Sequence, residues 1–377
     1  MISLVHLVTD LQGGGAETAL VRLVSNLDRQ KFRSTVISLM DGGPLEAELR
    51  AIDVPVITAG LTSAASAPFA FARVTAALRR LRPDVLQTWL FHADLAGLAA
   101  AAFVRVPVLC WNIRCAALSP EDHSRSLLFI RSTLARLSRI PDCIVVNSEE
   151  GQRVHERIGY HPRRWSQIPN GFDTVAFHPD AQKRADFRRT LGVDDDTPVV
   201  GLVARYHPMK DHHTFVAAAA RVAASRPGAR FVLAGKGVDR TNRALVDDLA
   251  RSGLTGVTHL LGEVRDVAAV FSGIDVAVSA SYSEGFPNTV GEAMACGVPC
   301  VVTDAGDSSH IVADTGRVVP VRDPERLAEA VCALIDMPAR ERQALGQRAR
   351  SRIVSEFSME ANVRRYEELY QQLVEHR

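Results

Sequence analysis

The segment Ile2-Ser-Leu-Val-His-Leu-Val8-Thr-Asp-Leu-Gln-Gly13-Gly-Gly-Ala-Glu17 decides how the rest of the chain reads. Its apolar run reads as a strand buried on both faces and its glycines as a tight turn. Glu17–Leu27 then carries apolar residues at helical spacing. Strand, glycine turn and helix in that order open a βαβ unit. The rhythm continues with strands at Thr35–Leu39, Val54–Ile57, Val85–Thr88, Val106–Trp111 and Cys143–Asn147. Helices are expected between them at Ala70–Leu81, Ala93–Phe103 and Arg125–Leu137. Such alternation predicts a parallel sheet with right-handed crossovers.

The rhythm breaks at Ile168-Pro-Asn-Gly-Phe-Asp173 and passes through a polar stretch ending at Asp194-Asp-Asp-Thr-Pro198. It restarts with strands at Val199–Val203, Arg230–Ala234, Val257–Leu260, Ile274–Val278, Pro299–Val302 and Arg317–Val319. Helices are expected at His213–Ala224, Thr289–Cys296 and Pro324–Ile335, with a last one from Ser358. The break predicts two domains, 1–170 and 171–357.

A length of 377 residues suits two α/β domains, and 47% hydrophobic with 23% charged is an ordinary globular balance. The formal charge of +1 argues against nucleic-acid binding through the overall field. The six cysteines at 110, 115, 143, 296, 300 and 332 form no C-x-x-C pair and match no zinc module. The opening run lacks a basic leader and a small-residue cleavage site, and no apolar stretch nears the roughly 20 residues of a bilayer span. A cytoplasmic protein with free thiols is expected, peripheral contact with the inner face of the plasma membrane remaining open.

Three places could carry chemistry. Gly13-Gly14-Gly15 lies between the first strand and a helix, where backbone N–H groups can approach an anion. It is either that or a flexible turn, and it lacks the third glycine of a dinucleotide fingerprint, since Thr18 stands there. Arg205-Tyr-His-Pro-Met-Lys210 follows a strand, at the edge where parallel sheets bind ligands. Its two cations suit a diphosphate, or are solvated surface charges. Glu284-Gly-Phe-Pro-Asn-Thr-Val-Gly-Glu292-Ala-Met-Ala-Cys-Gly-Val-Pro299 turns into a helix that stops at Gly297. The first-turn N–H groups favour phosphate, and carboxylates on either side of the turn can accept from sugar hydroxyls. An acidic loop with an exposed helical Glu would account for the charges but not for Gly-Phe-Pro-Asn between them.

The stretch Glu284–Asp304 resembles the E-x7-E signature of the retaining glycosyltransferases of family 4, which have the GT-B fold: two Rossmann-like, doubly wound parallel-sheet domains facing across a cleft. Gly13–Glu17, Ile168–Asp173, the Arg205/Lys210 pair, Gly262-Glu-Val264 and the closing helix fall in the family's order. The resemblance implies that Arg205 and Lys210 hold the donor diphosphate, Glu292 the ribose, and Glu284 hydroxyls of the transferred sugar. It implies backbone contacts from Phe286, Pro287, Asn288, Thr289 and Val290 to sugar and β-phosphate, with Gly14 and Gly15 closing from the other domain and main chain near Val264 lining the base pocket. Residues 358–377 would pack back on the N-terminal, acceptor-binding domain. No metal and no separate cofactor are expected.

The family often has a donor-sugar histidine just after the strand ending near residue 88. Here Trp89 stands there and His92 follows, either serving the same pocket or capping the helix. Arg114 could touch donor or acceptor, or form a structural pair. Arg125–Arg139 interleaves arginines with apolar residues, as a helix resting on an anionic bilayer or one that packs on its own sheet. The expected reaction moves a sugar from a UDP-sugar, or a GDP-sugar, to a glycan or lipid-linked acceptor, in bacterial surface polysaccharide assembly. A sugar-nucleotide epimerase or hydrolase, or a non-catalytic nucleotide-sugar binder, would share the architecture. An NAD oxidoreductase fits less well, with Asp41 as the only acid near the end of the second strand.

Overall fold

A computed structural model describes residues 1–114 and 125–376; Cys115, Arg377 and the side chain of Arg125 lie outside the described residues. The chain divides into two compact units, Met1–Gly171 with Met359–Arg377, and Phe172–Ser358.

The first unit holds seven parallel strands: β1 (Ile2–Val8), β2 (Phe32–Ser38), β3 (Val56–Thr58), β4 (Val85–Trp89), β5 (Val108–Ile113), β6 (Cys143–Val146) and β7 (Trp165–Gln167). Their order is β3-β2-β1-β4-β5-β6-β7. Alternate residues feed two cores. Val5, Leu7, Ile37 and Leu86 face one side, and Leu4, Val8, Val36 and Val85 face the other. Burial on both faces is why these strands read as near-continuous apolar runs. The helix Met359–Glu375 closes the second side with Met359, Val363, Tyr366, Leu369 and Tyr370. This spacing puts one stripe of a helix on the sheet.

The second unit holds β8 (Val199–Val203), β9 (Arg230–Ala234), β10 (Thr258–Leu260), β11 (Val276–Ser279), β12 (Cys300–Thr303) and β13 (Arg317–Val319), all parallel, in the order β10-β9-β8-β11-β12-β13. Val200, Leu202, Phe215 and Val216 lie in one core; Val199, Val232, Phe271 and Ala277 lie in the other.

Several elements were not legible in the sequence, and three of them show why. The polar stretch before Asp194 contains a helix, Ala181–Leu191, whose inner face is held by a buried arginine: Arg188 donates to the Gly273 carbonyl at 2.9 Å and to Asp275 at 3.3 Å. The 18-residue helix Ala339–Glu356 was missed because only Leu345, Gly346, Ala349 and Ile353 are buried among its arginines and glutamates. β7 has three residues, too few to show a period. Cys143, Cys296, Cys300 and Cys332 are free thiols. No helix among the described residues is long and apolar enough to cross a membrane.

Candidate functional site

In the second sheet the chain steps from β8 outward to β9 and β10, then returns to lay β11 on the other flank of β8. The carboxyl ends of β8 and β11 therefore flank a topological switch point, where open parallel sheets bind ligands. The loop after β8 carries Arg205 and ends in a turn, Pro208–Lys210, in which the Met209 N–H donates to His207 Nδ1 at 3.3 Å. The loop after β11 carries Glu284. The two loops meet: the Tyr282 N–H donates to the Met209 carbonyl at 3.0 Å. Lys210 Nζ donates to Glu284 Oε1, which also accepts from Ser281 Oγ at 2.6 Å. The side chains are only 22% and 11% exposed, so the pair is partly shielded from water.

Neighbouring elements hold Glu284 from behind. Thr303 Oγ1, at the end of β12, donates to the carbonyls of Ser279 and Ser281. Gly306 passes so close that a Cβ there would lie 2.4 Å from the Glu284 carbonyl oxygen, and its φ of +56° also favours glycine. The Asp307 N–H donates to the Gly285 carbonyl at 2.9 Å. Phe286 is buried, stacked on Phe172 with centroids 6.0 Å apart and tilted on Phe357 at 5.9 Å. These rings fix the entry to the helix Asn288–Ala295, whose N-cap, Pro287, supplies no side-chain cap. Glu292 sits half-buried in its second turn. Burial, and then the charge of Glu292, push the Cys296 thiol up to about 12, so it is no nucleophile near neutral pH.

Arg205 is exposed at the mouth of the β8 loop, and Val264 packs its side chain on the core below its own loop. Burial pushes His212 down to about 4, so it is neutral; its ring lies 5.0 Å from that of Tyr206. His212, Ser281, Thr303 and Gly306 were not found in the sequence. Of these, His212, directly after Lys210-Asp211, and Ser281, three residues before Glu284, had a proximity signal.

The first sheet has its own switch point, between β1 and β4. Gly13–Gly15 follow β1, and His92 follows β4, exposed in the first turn of the helix Leu90–Phe103. The glycine loop is exposed, and Gly14 makes room for Glu17: a Cβ on it would lie 2.2 Å from Glu17 Oε2. Burial raises the pKa of that carboxyl.

Trp89 is fully buried, its indole N–H donating to His6 Nδ1 at 3.4 Å. The Arg114 guanidinium lies over its ring, 5.6 Å from the centroid. Arg114 also donates to Tyr366 Oη at 3.2 Å and to Asn170 Oδ1. The helix Arg125–Leu137 buries Leu134 and Ala135 in its unit's core and leaves Phe129 exposed. Among the described residues no cluster of three or more His, Cys, Asp or Glu could hold a metal ion.

Two sequence families match along this frame: Glycosyltransferase Family 4 over residues 13–175 and Glycosyl transferases group 1 over residues 197–337. The chain belongs to glycosyltransferase family 4. This family-4 chain is 29% identical over 221 residues to the GDP-mannose-dependent monoacylated alpha-(1-6)-phosphatidylinositol monomannoside mannosyltransferase of Corynebacterium glutamicum, covering 55% of this chain and 56% of that protein. It is 32% identical over 228 residues to the D-inositol 3-phosphate glycosyltransferase of Mycobacterium tuberculosis, covering 58% of this chain and 46% of that protein. The chain thus spans about half the length of the curated relatives it matches. The crystal structure of Anabaena Alr3699/HepE in complex with UDP superposes with a TM-score of 0.86 at 23% identity, covering 98% of this chain and 100% of that one. The fold is GT-B.

Proposed function

We propose that this family-4 chain is a retaining glycosyltransferase that moves a sugar from a nucleotide-diphosphate donor to a glycan or lipid-linked acceptor. The observation that carries the reading is the meeting of Lys210 and Glu284 at the β8/β11 switch point, directly before the helix Asn288–Ala295. A cation and a helix N-terminus at one place can stabilise the charge that develops on a departing diphosphate. A carboxylate beside them can orient hydroxyls of the transferred sugar.

In this reading Arg205 and Lys210 bind the diphosphate, and Glu292 binds the ribose. Main chain from Phe286 through Pro287, Asn288 and Thr289 to Val290 contacts sugar and phosphate, and main chain near Val264 lines the base pocket. From the first unit, Gly14, Gly15 and His92 contribute to the donor. No carboxylate is assigned as a nucleophile, since Glu284 serves hydroxyls and is already held by Lys210 and Ser281. The leaving phosphate would then take the proton of the attacking acceptor hydroxyl as the new bond forms on the face the phosphate leaves. The donor base is uridine in this reading, with guanosine the competing arm; one similar structure carries UDP and one relative is named for GDP-mannose. The setting proposed is polysaccharide assembly on the cytoplasmic side of a bacterial membrane.

Calorimetry with UDP, GDP, ADP and their sugar conjugates tests it. One nucleotide sugar should bind, with binding weakened by Arg205→Ala and Glu292→Ala, and transfer to an acceptor should retain the anomeric configuration. Lys210→Ala should lower the transfer rate by about 10²–10³-fold. Consumption of donor without any acceptor product would instead indicate an epimerase or hydrolase, and an inverted product or a trapped glycosyl-enzyme would refute the mechanism.

A further inference from the structure

β4, β5, β6 and β7 are consecutive neighbours in the first sheet, so their amino ends share one edge. At about 4.8 Å per strand the edge is roughly 15 Å long. The segments entering these strands, 79–84, 104–107, 136–142 and 159–164, contain eight arginines and two aspartates, in a chain whose formal charge is only +1. Both aspartates serve the sheet: Asp84 accepts from the Ser3 N–H at 2.7 Å and Asp142 from the Leu109 N–H at 2.9 Å.

Helix dipoles account for some of these cations. Arg79, Arg80 and Arg136 lie in the last turns of their helices, where positive charge is favoured. No such account covers Arg82, Arg105, Arg139 and Arg163, which are exposed on the entering loops, while the ion pairs of this unit among the described residues lie elsewhere. Two apolar side chains stand among them. Phe103, at the end of its helix, is 66% exposed, and Ile140 is 51% exposed.

We propose that this amino-terminal edge of the first sheet docks the protein on an anionic lipid bilayer. Arginines attract lipid phosphates, and an exposed ring and a branched aliphatic chain among them gain by entering the interface. Nucleic acid would use the same cations, but Ile140 has no ring to stack on a base. The edge lies at the opposite end of the strands from Gly13–Gly15 and His92, about 17 Å away along a five-residue strand. The inference therefore goes beyond the proposed function, and the two have separate readouts.

The test is co-sedimentation of the full chain with vesicles of phosphatidylcholine alone or with added phosphatidylglycerol, at low and high salt. The wild type should pellet with the anionic vesicles and be released by salt. Each arginine removed should cost on the order of fivefold in partitioning, so R82E/R105E/R139E together should lose about a hundredfold or more. F103S/I140S should weaken binding with its charge intact. Thermal melts and donor-nucleotide binding, unchanged in both variants, would show that fold and donor site are preserved. The proposal is overturned if anionic lipid adds nothing, or if the triple variant pellets like the wild type. It is equally overturned if F103S/I140S binds vesicles undiminished while RNA competes them off, which would mark a general polyanion surface.

Discussion

Asp94 is fully buried, with Thr88 Oγ1 donating to one carboxyl oxygen and the other without a partner among the described residues. Burial raises its pKa well above the usual 3.8. The sign follows from which state holds the proton. Above pH 3.8 the unfolded chain releases it while the folded one keeps it, so this group takes stability away as pH rises toward its folded pKa. His6, in the same unit, works oppositely. Burial pushes it down to about 3, so its contribution is complete above 6.5 and is lost as pH falls from 6.5 to about 3. Asp94→Asn keeps an acceptor for Thr88 and cannot ionise. It should raise Tm at pH 7 by roughly 3–6 °C for each pKa unit, with each unit weighing about 1.4 kcal/mol. The gain should shrink toward pH 4, leaving the acid limb of His6; melts across this range check both the slope and its sign. A variant less stable at pH 7 than at pH 4 relative to wild type would mean that Asp94 is ionised in the fold.

At the scale of elements, the helix Met359–Glu375 is fastened to the first sheet by polar bonds set in an apolar face. Tyr370 Oη donates to Gln87 Oε1, Asn112 Nδ2 donates to Tyr366 Oη at 3.0 Å, and the Asp28 N–H donates to Glu367 at 2.8 Å. Tyr370→Phe strands the Gln87 carbonyl oxygen in the core and should cost about 1–3 kcal/mol in a denaturant melt. Gln87→Leu strands the Tyr370 hydroxyl in turn. The double variant, with neither partner left, should be clearly more stable than the sum of the two losses predicts. The same elements show what the sequence made legible. Strands such as β1 and β8 are read at their true limits because burial on both faces leaves uninterrupted apolar runs. Ala181–Leu191 was not read, since an arginine occupies its inner face and its apolar stripe is reduced to Phe187 and Leu191. Lys210 and Glu284 were singled out in the sequence, but not their pairing. They are 74 positions apart, and only the placing of β11 beside β8 brings them together. The burial of Trp89 was not legible either, because a residue at the end of a strand can turn into the core as readily as out of it.

On the scale of the molecule, the two units have separate cores, and all three tryptophans, 89, 111 and 165, belong to the first. Trp89 and Trp111 are fully buried, so tryptophan fluorescence follows the unfolding of that unit, whereas calorimetry follows both. The diphosphate, ribose and base contacts proposed above belong mainly to the second. A nucleotide at about a hundred times its Kd stabilises the unit that binds it by about 2.7 kcal/mol. In a unit of this size that is roughly 5–10 °C. Saturating donor nucleotide should therefore raise a calorimetric transition by that amount and shift the fluorescence midpoint much less. Lys210→Ala should reduce the calorimetric shift without lowering the fluorescence midpoint of the unliganded protein. Equal shifts in both signals would mean that the first unit contributes as much binding free energy as the second, and Gly14, Gly15 and His92 would then be the residues to substitute. A shift in fluorescence alone would move the nucleotide site to the β1/β4 switch point.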